Sequence, residues 1–370
     1  MKIGDELGRL QTAFTGALVP WFRAGARELP WRTAKTPYRV WLSEVMLQQT
    51  QVGAVVPYFE RFVARFPTLE ALAAAPADDV LSLWSGLGYY ARARKLHEAA
   101  KLAAARGGLP RTSAELLALP GFGPYTSAAV ASFAFGEDVA LVDGNVARVL
   151  ARLRATPGDV DAARAEAWRV APLLVVLGAQ PAINEALMEL GATVCTRRAP
   201  ACPLCPLAKV CAARRAGTAD SLPAPRPAKA KRRLFIACVV SERRGEVLLA
   251  RRAEGGLFGG LWEPPGVELA SEAERARPLL PLRRALAGLG LRLGRSSARH
   301  AVARTLTHRA LELDVHVAPL AGTPRAGPGY TDARWVPLGE LGALGIASAA
   351  SAALAACGVI SPGRAARRVC

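Results

Sequence analysis

Four closely spaced cysteines constrain this chain more than any other feature. The stretch CTRRAPACPLCPLAKVC places Cys195, Cys202, Cys205 and Cys211 in C-x6-C-x2-C-x5-C spacing. Four thiols in one short loop suit a tetrahedral metal ion or an iron–sulfur cluster. Zinc sites more often use two separated C-x2-C pairs, which this is not. Cys238, Cys357 and Cys370 are scattered and read as buried or idle thiols. The opening residues, MKIGDELGRLQTAF, carry acids and no unbroken apolar run, so they do not read as a secretory signal. No clean apolar stretch is long enough to span a membrane. The expectation is a cytoplasmic protein, in a compartment where clustered cysteines bind metal more often than they form disulfides.

The chain has 370 residues, enough for two domains with separate cores. Residues 1–215 show helical periodicity with short Gly/Pro punctuation and read as an all-α domain. The basic, Pro/Ala-rich run that follows, residues 216–233, reads as a linker. Residues 234–357 change texture and predict a smaller α+β domain, and 358–370 form a basic tail. There LFIACVVSERRGEVLLARRA reads as a β-hairpin, LELDVHVAPL and ARWVPLGEL as further strands, and PLRRALAGLG as a helix ended by glycine. The formal charge of +18 favours a polyanionic partner, nucleic acid being the commonest. An Arg- and Ala-rich composition is the competing explanation of that charge.

Two local patterns carry chemistry. In LPGFGPYT, Pro120 and Gly121 end one short helix and Gly123 and Pro124 open the next, YTSAAVASFAFG, which Gly136 stops. Helix, bare turn, helix is the helix-hairpin-helix pattern, in which Gly121, Phe122 and Gly123 offer backbone N–H groups to a phosphate. An ordinary interhelical turn has the same composition. Next come two carboxylates in contrasting surroundings. Asp143, in VDGNVARVL, is placed to cap the following helix, and capping is expected to lower its pKa and keep it an anion. Glu44, in TPYRVWLSEVMLQQT, shares a helix started by Thr36 and Pro37 with Val40, Trp41, Leu47 and Gln48. Poor solvation there is expected to raise its pKa until it holds a proton near neutrality. One proton donor and one fixed anion is the division of labour that cleavage of a glycosidic bond needs.

The residues LPWR, VWLSEVMLQQT, GLGYYARARKLH, LPGFGPYTSAAV, VDGNVARVL and NEALMELGATVC, with the cysteine loop, resemble the MutY-type adenine DNA glycosylases in order and spacing, across most of residues 29–211. The resemblance implies a six-helix barrel, about residues 30–142, and a cluster subdomain from residues 1–29 and 143–215 holding a 4Fe-4S cluster on the four cysteines. It implies a monomer acting on double-stranded DNA with adenine opposite 8-oxoguanine or guanine, the adenine being flipped out. Glu44 would protonate the base, Asp143 stabilise the cationic sugar, and Asn145 position the groups around it. Trp31, Arg32 and Glu185 match positions that hold the base. Gln49, Leu87 and Tyr89 match residues that wedge into the stack, with Thr50 beside the substrate. Tyr125 stands where bifunctional relatives carry a lysine that attacks the sugar, so hydrolysis should stop at an abasic site.

LLARRAEGGLFGGLWEPPG resembles the start of the MutT-like domain appended to these enzymes. Its continuation, VELASEAERARPLLPLRRALAGLG, lacks the REXXEE carboxylates that hold magnesium in a Nudix hydrolase, so lesion reading is expected there instead of pyrophosphate hydrolysis. The family's Phe-Ser-His reader is matched here by Leu306, Thr307 and His308, with leucine replacing the stacking ring and His308 read on a strand. The competing functions are a bifunctional glycosylase/lyase, which lacks its lysine, and a non-catalytic iron–sulfur redox sensor, which has no need of Glu44 and Asp143.

Overall fold

The computed structural model describes residues 3–226, 230–306 and 308–361, so Thr307 and most of the basic tail lie outside the described residues. By its internal contacts the chain divides into two units, Met1–Ala73 with Glu98–Ala228, and Ala74–His97 with Lys229–Cys370. Among the described residues no helix is long and apolar enough to cross a membrane.

Among the described residues every regular element of the first unit is a helix, and start and stop signals set the helices that matter. Thr36 caps Pro37–Leu47, its hydroxyl accepting from the Arg39 N–H at 3.2 Å, and Pro37 takes the first helical position, where its missing N–H costs nothing. Thr112 caps the single turn Ser113–Leu116, and after the Gly121 bend Pro124 opens Pro124–Phe135, which ends on left-handed Gly136. Asp143 caps Gly144–Arg154. The helix Gln180–Thr193 packs against it, with Leu150, Ile183 and Leu187 in a shared core with Leu10, Phe14 and Leu18. Gly191 permits this approach, because a Cβ there would sit 2.5 Å from the Asn145 Cβ. Residues beyond 215 pack back onto this unit: Ala224 bridges to Asp159, and Arg226 pairs with Asp161.

The second unit takes in residues 74–97, where Asp78 pairs with Arg251 at 2.9 Å and the Ser85 hydroxyl donates to the Ile346 carbonyl at 2.9 Å. The expected hairpin over residues 234–253 forms at its turn, where Glu242–Arg243 pairs antiparallel with Glu246 and Val247, but the longer strand before it pairs elsewhere. Arg232–Val240 runs between Gly266–Glu268 and Arg309–Val317, with Ala298–Thr305 at the edge of that four-stranded sheet. Glu246–Arg252 joins Tyr330–Pro337, Trp262–Glu263 and the short Glu242–Arg243 in a second sheet. Five consecutive residues buried at the end of Arg232–Val240 explain the outcome: a strand covered on both faces seeks interior neighbours rather than its sequence neighbour. The Leu279–Gly288 helix packs against Gly266–Glu268 and Leu291–Leu293 over a core of Leu282, Leu286, Leu289 and Leu291. Leu306 and His308 fall in the turn between Ala298–Thr305 and Arg309–Val317, so His308 is exposed in a turn, not on a strand.

Candidate active site

The helical unit contains a cleft of about 690 Å³, lined by residues from seven helices and the Gly121–Gly123 turn. That is ample for a purine nucleoside. Its floor is Glu44, 5% exposed. Burial pushes the Glu44 pKa up to about 7; Asp143 and Glu185 add to the rise, while a hydrogen bond from Tyr125 and the charge on Arg32 oppose it. The Tyr125 hydroxyl donates to Glu44 Oε2 at 2.6 Å from the first turn of Pro124–Phe135, and lies 3.8 Å from Met188 Sδ. Burial and the neighbouring carboxylates hold this phenol far above its ordinary pKa, so it remains a donor.

Asp143 lines the same cleft. Its Oδ1 accepts from the Val146 N–H at 2.7 Å and its Oδ2 from Asn145 Nδ2 at 2.9 Å. Capping was expected to lower its pKa, but the net shift is upward: burial outweighs the bonds from Val146 and Asn145 and the nearby Arg148. Asn145 is itself fixed. Arg148 donates to its Oδ1 at 2.9 Å, to the Gly191 carbonyl at 2.7 Å and, through Nε, to the Cys195 carbonyl at 2.9 Å.

Of the residues singled out in the sequence, Trp31, Arg32, Glu44, Gln49, Thr50, Gly121, Gly123, Tyr125, Asp143, Asn145 and Glu185 all line this cleft. Trp31 is buried edge-on against Phe59. Phe122 turns inward and stacks on Trp41, leaving only its backbone for the turn surface. Gln49 is exposed with φ +56°, a left-handed conformation that residues other than glycine rarely adopt. Tyr89 shares that feature at φ +52° but belongs with Leu87 to the second unit. Leu306 and His308 are likewise in the second unit. Sequence reasoning missed four charged residues of the cleft wall, Arg27, Lys35, Arg164 and Glu189. Lys35 pairs with Glu185 at 3.1 Å, and Arg27 pairs with Glu189, whose position one turn after Glu185 on an apolar helix was the available signal.

Cys211 is buried in this unit's core, and Cys195 and Cys205 pack against that core. Burial pushes Cys205 up to about 11, and Cys195, Cys211 and Cys202 each add to the rise. Among the described residues no three ligating side chains gather tightly enough for a single ion. Arg152 gives the loop its chemical character. It is 2% exposed and donates to Cys195 Sγ at 3.3 Å and to the carbonyls of Thr196, Arg197 and Leu222. A buried guanidinium with no carboxylate among these partners fits an anionic thiolate-bound group next to it.

Residues 42–172 match the model of the HhH-GPD superfamily of base excision DNA repair proteins, and residues 236–356 match the NUDIX domain. The adenine DNA glycosylase of Homo sapiens is 36% identical over 89% of this chain and 71% of its own length. That of Mycolicibacterium smegmatis is 44% identical over 51% of this chain and 66% of its own. The solved structure of a thermostable thymine-DNA glycosylase superposes with a TM-score of 0.51 at 27% identity, covering 58% of this chain and 98% of its own. With a helical HhH-GPD unit followed by a Nudix-like α+β unit, the chain belongs to the adenine DNA glycosylase family.

Proposed function

We propose that this protein is a monofunctional adenine DNA glycosylase, which hydrolyses the N-glycosidic bond of adenine opposite 8-oxoguanine or guanine in duplex DNA and leaves an abasic site. One arrangement carries the reading: a carboxyl whose pKa lies near 7, a second carboxyl held by a helix N-terminus, and Tyr125 bonded to the first, all lining one cleft of purine size. Glu44 donates its proton to N7 of the flipped adenine, which departs as a neutral base. Positive charge develops on the sugar as the bond breaks, and Asp143, oriented by Val146 and Asn145, stabilises it. Glu44, now ionised, draws the water that completes hydrolysis. Tyr125 has no amine, so no Schiff base forms and the strand stays intact.

Trp31, Arg32 and Glu185 hold the base, and Glu185 exchanges its Lys35 partner for the exocyclic amine. Gln49, Thr50, Leu87 and Tyr89 fill the space the adenine leaves, the left-handed backbones of Gln49 and Tyr89 being strain of the kind that clusters at working sites. Gly121, Phe122 and Gly123 present a backbone turn to phosphate; a side chain at Gly123 would meet nothing within 4 Å, so a strand can come close. Cys195, Cys202, Cys205 and Cys211 hold a 4Fe-4S cluster, which fastens the loop bearing Arg197 and Arg198 for contact with the backbone. Leu306, Thr307 and His308 read the opposing 8-oxoguanine. The protein acts as a monomer inside the cell.

Excess protein incubated with duplexes holding adenine opposite 8-oxoguanine, guanine or thymine, with and without alkali, tests the reading. Strand breaks should appear only after alkali and fastest opposite 8-oxoguanine. Breaks without alkali would establish a lyase instead.

A further inference from the structure

One carboxylate of the cleft has no part in the chemistry above. Glu189 lies one turn beyond Glu185 on Gln180–Thr193, with its side chain 2% exposed. A carboxylate so enclosed is costly unless its oxygens are met by donors. Arg27 grips it with two prongs, Nε to Oε1 at 2.6 Å and Nη2 to Oε2 at 3.0 Å, and adds its backbone N–H at 3.3 Å. Arg32 donates from Nη2 to Oε2 at 3.0 Å and from Nη1 to the Arg27 carbonyl at 3.1 Å. Burial disfavours the charge on Glu189, yet Arg27 and Arg32 outweigh it and hold the pKa below the ordinary range. Two cations therefore share one anion on the cleft wall, and the Arg32 guanidinium has two fixed bonds.

We propose that Glu189 is a positioning residue for base excision: it gathers Arg27 and Arg32 on one wall and fixes the Arg32 guanidinium where it meets the flipped base. This rests on the reading of the cleft as an adenine-excision site. The same contact balances charge around the proton donor. Glu44 is faced by Tyr125 from Pro124–Phe135, by Asp143 at the start of Gly144–Arg154, by Glu185 with its partner Lys35, and by Arg32 from Pro30–Thr33. Removing the Glu189 charge leaves Arg27 and Arg32 unbalanced, and Glu44 then loses its proton more easily. Removing Arg32 does the opposite.

The test is single-turnover adenine excision from a duplex with adenine opposite 8-oxoguanine, followed across the neutral pH range, with folding checked by circular dichroism. Glu189→Gln should slow excision between about 10- and 100-fold, the scale of loss from a small misplacement, and move the pH midpoint of the decline downward. Arg32→Gln should move that midpoint upward, and Glu189→Asp, which keeps the charge, should slow excision without moving it. Opposite displacements are not produced by general loosening of the fold. A folded Glu189→Gln protein with an unmoved midpoint overturns the proposal. If Glu189→Gln fails to fold, Arg32→Gln decides, since it leaves the Arg27 pair in place, and an unmoved midpoint overturns the proposal there too. Wild-type protein that excises no adenine removes the excision reading, and this inference with it; an active wild type with an unmoved variant removes the inference alone.

Discussion

Replacing Glu44 with glutamine should stabilise the protein at alkaline pH and leave its stability nearly unchanged in acid. The carboxyl is buried, and its pKa rises from the ordinary 4.5 to about 7 on folding. Below pH 4.5 the group is protonated in folded and unfolded chains alike, and burial carries no charge penalty. Between 4.5 and about 7 the unfolded chain releases its proton while the folded chain retains it, so stability falls as pH rises. At about 1.4 kcal/mol per pH unit the loss reaches about 3 kcal/mol once pH exceeds the folded value. Glutamine never ionises, keeps the shape, and retains an oxygen to accept from Tyr125. Urea unfolding of both proteins across this range measures the difference directly, with all other titrating groups cancelling between them. The variant's advantage should grow from near zero to about 3 kcal/mol. A difference that stays flat with pH, or a glutamine protein less stable in alkali, would refute the claim that Glu44 is held as a buried acid. A residue that weakens its own fold above neutral pH is typical of working sites.

Tyr125→Phe removes a 2.6 Å hydrogen bond that favours ionised Glu44, so the alkaline decline in excision should move upward. A bond to a charged group is worth roughly 1.5–3 kcal/mol, giving a displacement of about 1–2 pH units in a rate profile. Asp143→Asn should fold, because asparagine caps a helix as well as aspartate, and should bind duplex while excising at least about 100-fold more slowly in single turnover. Cys205→Ser should yield protein without bound iron, measured by iron assay, and with weaker duplex affinity in a binding titration. Leu306→Phe should increase the preference for adenine opposite 8-oxoguanine over guanine by about fivefold or more, since stacking on a base contributes about 1–3 kcal/mol.

Local signals in the sequence located the helices that build the cleft. Thr36 with Pro37, and Gly123 with Pro124, start helices in the structure, and Gly136 ends one, because each residue acts through its own backbone. Partners far along the chain were not legible. The run 234–253 has hairpin texture, but Arg232–Val240 pairs in parallel with Arg309–Val317, about which the local pattern says nothing. Asp143 was placed correctly as a cap, yet the sign of its pKa shift depends on burial by the assembled unit, which outweighs the capping bonds. Glu189 could be seen near Glu185 on one helix face, but its partner Arg27 is 162 residues away and no spacing rule connects them.

The most direct measurement is the single-turnover rate of adenine release by wild-type protein as a function of pH, beside Glu44→Gln. The account predicts a wild-type rate that declines through a midpoint near 7, the pKa of Glu44, and a glutamine variant that is slow and insensitive to pH across that range. A glutamine variant that releases adenine as fast as wild type, with the same decline, would contradict it.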